Sequence, residues 1–145
     1  MKEIEIISRS IIKAENRILL CKNLKGNYYY LPGGHIEHKE NAENALKREL
    51  IEETGEKFEN FSFIGVLENF YKVNKEIVHE INLVFLVELK DIKKIKSKEG
   101  HISFEWFEIN KLSKIKLLPK SVIYFIKNKK IKYILEKYNR IIKIV

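Results

Sequence analysis

The sequence predicts an α/β domain in which strand-like hairpins flank one helix rich in carboxylates. Three observations predict it. Glu3 to Lys13 and Ile77 to Lys90 alternate residue by residue, with the period of β-strands. Asn41 to Gly55 carries start and stop signals of a helix, an Asn able to cap the first turn and a Gly able to close the last. A final apolar series (Val122, Ile123, Phe125, Ile126, Ile131, Ile134 and Leu135) recurs at near-helical spacing after Pro119.

Length and composition set the bounds. At 145 residues the chain suits a single domain, residues 1–145, with one core. A hydrophobic share of 45% beside 33% charged residues is ordinary for a soluble globular protein. No apolar run reaches membrane-spanning length, and MKEIEIISRS lacks the apolar region of a signal peptide, so a cytoplasmic protein without membrane contact is expected. The single cysteine, Cys21, excludes an internal disulfide and reads as a small core or edge residue.

In chain order, Glu3 to Lys13 and Arg17 to Lys22 form a hairpin about Ala14-Glu15-Asn16. Tyr28-Tyr29-Tyr30-Leu31 is a short aromatic strand leading into Pro32. Its rings are expected to be core or cross-strand partners, with Tyr30 the candidate to line a pocket. After the helix, Phe61 to Val73 and Ile77 to Lys90 make a long hairpin about Asn74-Lys75 that crosses the middle of the sheet. His79 and Glu80, near its return strand's start, are candidate substrate contacts. A charged loop from Asp91 to Gly100 precedes a strand from His101 to Ile109, with Trp106 as a core anchor. The closing helix, broken near Asn128-Lys129-Lys130, should cover the sheet face opposite the first helix.

Chemistry concentrates between Leu31 and Phe58. Pro32-Gly33-Gly34 forms a turn, and Glu49, Glu52 and Glu53, spaced i, i+3 and i+4, are surface neighbours on one helix face. Carboxylates that close repel unless something neutralises them, and a hard cation such as Mg²⁺ or Mn²⁺ meets that need.

Gly34, Glu40, Arg48, Glu49, Leu50, Glu52, Glu53 and Gly55 fall at the spacing of the Nudix box, and the chain resembles Nudix hydrolases of the MutT-like kind from Gly34 to Glu56. The departure is Glu56, where the family carries an aliphatic residue in a packing position. The resemblance implies an α/β/α sandwich on a mixed β-sheet and metal-dependent hydrolysis of a nucleoside diphosphate linked to another group. It implies that the Gly33 carbonyl with Glu49, Glu52 and Glu53 binds Mg²⁺, with Mn²⁺ as the alternative, and that Arg48 orients the carboxylates. Glu53, Glu49 or Glu99 then serves as the base, Glu99 being the carboxylate outside the box expected to reach the metal and Glu105 its substitute.

A nucleoside triphosphate pyrophosphohydrolase, acting on oxidised or otherwise unwanted nucleotides, is the expected activity; ADP-ribose or a dinucleoside polyphosphate is the alternative substrate. Tyr71 lies about where a tyrosine marks the hydrolases of diadenosine polyphosphates. The similarity also makes a homodimer an expectation. The net charge of +8 is uneven, with bases crowding Lys111 to Val145 against Glu136 alone. That field suits a polyanionic substrate, although a general lysine bias of the source's proteins explains it equally well. A different class of reading makes the basic C-terminal helix an RNA contact, for a 5′-end hydrolase or a binding module. The absence of clustered aromatics free for stacking weighs against it.

Overall fold

In the computed structural model, which describes residues 2–145, alternation in the first residues gives β1 (Glu5–Ala14) and β2 (Arg17–Asn23). They close through Glu15, at φ 53°. The long hairpin also forms, as β5 (Ser62–Val73) and β6 (Glu76–Leu89), turning through Asn74 and Lys75 with φ of 50° and 71°. Positive φ at both central residues matches the right-handed twist of the strands they join. Between these hairpins come β3 (Tyr28–Tyr30), β4 (Gly33–His35) and α1 (Ala42–Thr54). After them come β7 (Ile102–Glu108), a 3-10 helix (Ile109–Lys114), α2 (Val122–Lys127), β8 (Tyr133–Lys137) and β9 (Arg140–Ile144).

Among the described residues nine strands form one mixed sheet, ordered β3-β2-β1-β6-β5-β8-β9, with β4 paired to β1 and β7 to β2. The β1–β6 and β5–β8 pairs are parallel; the others are antiparallel. Successive side chains on a strand face opposite ways, so Ile12 and Leu19 fall on one face and Ile11, Ile18 and Leu20 on the other. The first face, with Phe85 and Val87, packs against Leu46 and Leu50 of α1. The second lies under Leu112 of the 3-10 helix and under Val122 and Phe125 of α2. The architecture is the α/β/α sandwich on a mixed sheet that the sequence predicts.

The C-terminal helix needs correction. It runs only from Val122 to Lys127, and Asn128 is already extended at φ −140° and ψ 102°. The residues beyond it form the β8–β9 hairpin, turning through Tyr138 and Asn139 with φ of 49° and 64°. Near-helical spacing in Ile131, Ile134 and Leu135 was ambiguous over so short a run. The open edge of β5 settled the conformation by pairing with β8 in parallel. The extended basic helix proposed for RNA contact is therefore not formed.

Strand β4 stands where a turn is expected at Pro32-Gly33-Gly34. Pairing with β1, through Ile7–His35, Ser8–Gly34 and Arg9–Gly33, makes it a strand despite its glycines. Glu56, the departure from the family pattern, is half-exposed and pairs with Lys93 at 3.2 Å, while Phe58 is buried beside Leu46 and Leu50. Apolar packing after α1 is thus supplied two residues later. Trp106 packs partly buried against the same cluster and donates its indole N–H to the Lys93 carbonyl at 2.8 Å, anchoring the charged loop to the sheet.

Candidate active site

The turn before α1 is held open by glycine. Gly33 has φ +143°, and a Cβ there would meet the Ser8 carbonyl of β1. A Cβ on Gly34 would fall on the Glu49 carboxyl group. Both glycines let the backbone press against β1 and the helix at once. Asn41 caps α1 by accepting the Asn44 N–H at 2.8 Å, and Gly55 closes it in the left-handed region at φ 72°.

Arg48 organises the carboxylates above that turn. Its guanidinium donates to both oxygens of Glu40, at 2.8 and 2.9 Å, to Glu49 Oε1 at 3.0 Å and to the His35 carbonyl at 3.1 Å. A longer contact of 3.5 Å reaches Glu52. Planar, always charged and five-donor, a guanidinium can bridge several acceptors in this way. The Arg48 hydrogen bonds, followed by the Glu37 N–H, hold the Glu40 carboxyl down at about 2.

Gly33, Gly34, Glu49, Glu53 and Glu99 open onto one cavity of about 780 Å³. Glu53 is 6% exposed. Burial pushes its carboxyl up to about 8; Glu49 and Glu99 push the same way, and Arg9 opposes them. Glu99 enters from the loop before β7, beside His101 at 3.4 Å. Arg9 of β1 donates to the Leu31 and Gly33 carbonyls at 3.2 and 3.3 Å and lies over the Tyr30 ring. Cys21 is buried behind the site, with its thiol 3.7 Å from Glu53 Oε2. Desolvation raises the thiol's pKa well above its ordinary value.

The other predicted residues divide between cavity and surface. Tyr30, Tyr71 and Glu80 line the cavity. Glu52 sits outside its lining, with a side chain 53% exposed. Glu105 accepts the Tyr29 hydroxyl at 3.1 Å and is also outside the lining. His79 is not in that lining, while its neighbour Glu80 on β6 is. Instead His79 stacks on Phe70 with ring centroids 4.0 Å apart and meets Glu68 Oε2 at 2.5 Å. Sequence reasoning missed Arg9, Asn69 and Glu136 in the cavity wall, and each stands in a strand with other polar residues, so no local signal singled it out.

Glu68 makes a pH-dependent contribution to the fold. It accepts the Tyr133 hydroxyl at 2.7 Å besides meeting His79, and these hydrogen bonds hold its pKa below the ordinary carboxylate value. A carboxyl lowered in the folded state stabilises above its unfolded pKa and loses that contribution as pH falls through the folded one. The difference in urea midpoint between wild type and Glu68→Gln is expected to persist into mild acid and to close in stronger acid. A difference constant throughout would rule this linkage out.

The residues present fit a hard divalent cation in their chemistry, since the Gly33 carbonyl, Glu49 and Glu53 bring only oxygen donors to one wall. Burial first, and then the neighbouring Glu49 and Glu99, raise the Glu53 pKa, a burden that such a charge would relieve. Among the described residues no three acidic, His or Cys side chains already converge as a cage, because Arg48 holds Glu49 and Glu52 to itself.

Comparison with known proteins agrees with this geometry. The sequence pattern of the NUDIX domain matches residues 7–128. An 8-oxo-dGTP diphosphatase of Buchnera aphidicola subsp. Schizaphis graminum is 34% identical over 116 residues, 77% of this chain and 82% of that protein. An ADP-ribose pyrophosphatase of Methanocaldococcus jannaschii is 32% identical over 108 residues, 72% of this chain and 62% of that protein. The mutator MutT protein of Bacillus halodurans superposes with a TM-score of 0.75, covering 98% of this chain and 97% of that one. Its identity is 19%, so that likeness speaks for the fold. No helix of the described residues is long and apolar enough to cross a membrane. Nudix hydrolases generally work with divalent metal cations, and with Gly34, Glu49 and Glu53 of the box lining one cavity and the NUDIX pattern spanning residues 7–128, this chain belongs to the Nudix hydrolase family.

Proposed function

We propose that the protein is a Mg²⁺-dependent nucleoside triphosphate pyrophosphohydrolase of the MutT-like kind, acting on oxidised or otherwise unwanted nucleotides. The observation that carries this reading is one cavity with two chemistries. The carboxylates of Glu49, Glu53 and Glu99 and the rings of Tyr28, Tyr30 and Tyr71 line the same space. The first suits a metal-neutralised polyphosphate, the second the flat face of a base. The Buchnera relative, an 8-oxo-dGTP diphosphatase, supports this choice.

The Gly33 carbonyl, Glu49, Glu52 and Glu53 would hold the cation, and Arg48 keeps the carboxylates poised for it. When bound, Mg²⁺ or its substitute Mn²⁺ supplies neutralisation of the diphosphate and a more acidic water. Glu53, Glu49 or Glu99 takes the proton of the attacking water, since all three face the same space. Arg9 lends positive charge to the wall beside Gly33. The buried thiol of Cys21 suits a reducing, cytoplasmic setting.

Hydrolysis of ADP-ribose is the second reading. The Methanocaldococcus relative favours it, as does a cavity of about 780 Å³, near the upper end of small-molecule sites. The test is chromatographic identification of products, a nucleoside monophosphate with pyrophosphate or AMP with ribose 5-phosphate, from a panel of deoxy- and ribonucleoside triphosphates, 8-oxo-dGTP, ADP-ribose, diadenosine polyphosphates and 5′-triphosphorylated RNA. Turnover of a nucleoside triphosphate with Mg²⁺, abolished by chelation, is expected. Turnover of ADP-ribose alone would replace the first reading with the second.

A further inference from the structure

The charged loop between β6 and β7 carries Glu99 into the cavity, and it is fastened at several points along its length. The Lys93 carbonyl accepts the Trp106 indole N–H, and the Lys93 ammonium pairs with Glu56. Ile95 is buried in the cluster that contains Leu46 and Leu50 of α1. The Lys98 N–H then donates to the Glu53 carbonyl at 2.8 Å. That carbonyl lies in the last turn of α1, where a helix offers its own C=O groups no partner. A Cβ on Gly55 would strike the Lys98 side chain, so the glycine that closes the helix also leaves room for the loop.

Ser97 acts on Glu99 directly. Its hydroxyl accepts the Glu99 N–H at 3.0 Å and donates to the Glu99 carbonyl at 2.8 Å. One side chain thus meets both backbone polar groups of the residue whose carboxylate enters the site. Short hydroxyl side chains reach backbone groups two residues on in this way, and each such bond selects one loop conformation over others. In three successive residues Ser97 fixes the backbone, Lys98 ties it to α1 at Glu53, and Glu99 brings the charge. That charge reaches the buried Glu53 carboxyl and opposes its ionisation.

We propose that Ser97 is a positioning residue for hydrolysis, its hydroxyl holding Glu99 in place beside Glu53 before substrate enters. This rests on the reading in which Glu99 acts at the reacting phosphate together with the box carboxylates. With both of its backbone groups bonded and the preceding residue tied to α1, Glu99 keeps only its side-chain torsions free. Such restraint matters because a misplacement of about 1 Å is enough to cost roughly a hundredfold in rate.

The experiment measures kcat and KM at saturating Mg²⁺ on the best substrate of the panel. It compares wild type, Ser97→Ala, Ser97→Thr, Glu99→Gln and the variant combining Ser97→Ala with Glu99→Gln. Ser97→Ala should lower kcat roughly ten- to a hundredfold and leave KM nearly unchanged. Ser97→Thr keeps the hydroxyl and should recover most of that loss. In the Glu99→Gln background Ser97→Ala should cost almost nothing more, because a residue that acts through another is not additive with it. Amide hydrogen exchange on the metal-free protein gives a second readout, with the Glu99 N–H expected to exchange faster in Ser97→Ala at an unchanged thermal midpoint. Wild-type kcat in Ser97→Ala overturns the assignment, and so does a full loss repeated in the Glu99→Gln background. If Ser97→Ala does not fold, Ser97→Cys takes its place, since a thiol is a weak donor and acceptor. An intermediate loss then supports the role, and wild-type kcat overturns it. Wild-type activity in Glu99→Gln removes the reading of Glu99 and this role together, while loss of turnover in Glu53→Gln leaves the hydrolase reading standing. No turnover by wild type on any substrate removes that reading and this role with it.

Discussion

Glu53→Gln is expected to lower turnover about 10²–10⁴-fold while leaving the protein folded. Glutamine keeps the shape of the side chain and removes both its charge and its capacity to take a proton. The position is 6% exposed between the Cys21 thiol and the cavity, so a neutral isostere relieves a buried charge instead of creating a void. Burial already pushes the Glu53 carboxyl up to about 8, with Glu49 and Glu99 adding to it. The thermal midpoint in the absence of metal should therefore hold or rise. Steady-state rates on the best substrate of the panel, read beside that midpoint, check both halves. Activity within a few-fold of wild type would move the essential role to Glu49 or Glu99. A large fall in the midpoint would mark Glu53 as structural.

Arg48→Lys should cost roughly 10- to 100-fold in activity or metal affinity, as losses behind a metal site commonly do. Lysine keeps the charge but cannot span both Glu40 oxygens, Glu49 and the His35 carbonyl together. Arg48 is a positioning residue, so its loss is expected to raise the Mg²⁺ concentration needed for half-maximal rate. Excess Mg²⁺ should recover part of the rate. A defect independent of Mg²⁺, accompanied by a lowered thermal midpoint, would show that the fork serves folding alone.

These two residues were legible in the sequence because the helix converts spacing directly into position. Three carboxylates at i, i+3 and i+4 must share a face, and Asn41 and Gly55 fix where that helix starts and ends. The hairpins were legible for a similar reason, since alternation and short polar turns are local signals. What stayed hidden depends on pairing between distant segments. Gly33–His35 is a strand only because β1 offers it an edge, and Tyr133–Lys137 only because β5 does. His79 shows a further limit: a strand's face follows from residue parity, but which parity faces the site waits on the sheet. Arg9, Asn69 and Glu136 reach the cavity from three strands, and no interval along the chain relates them.

The parallel β1–β6 pair at the middle of the sheet sets an order of assembly. Ten positions, from Glu5–Glu80 to Ala14–Leu89, join segments separated by about half of the chain. As the chain leaves the ribosome, β1 emerges long before its partner, and the apolar residues between Ile4 and Ile12 wait for β6 to be made. Closing so long a loop before any contact rewards it places this sheet among the slower topologies to nucleate. Box helix and glycine turn are synthesised early, yet the floor beneath them is completed only when β6 arrives, and the far wall only with β8. Nascent chains released short of residue 133 would carry every box residue and lack the wall that bears Glu136.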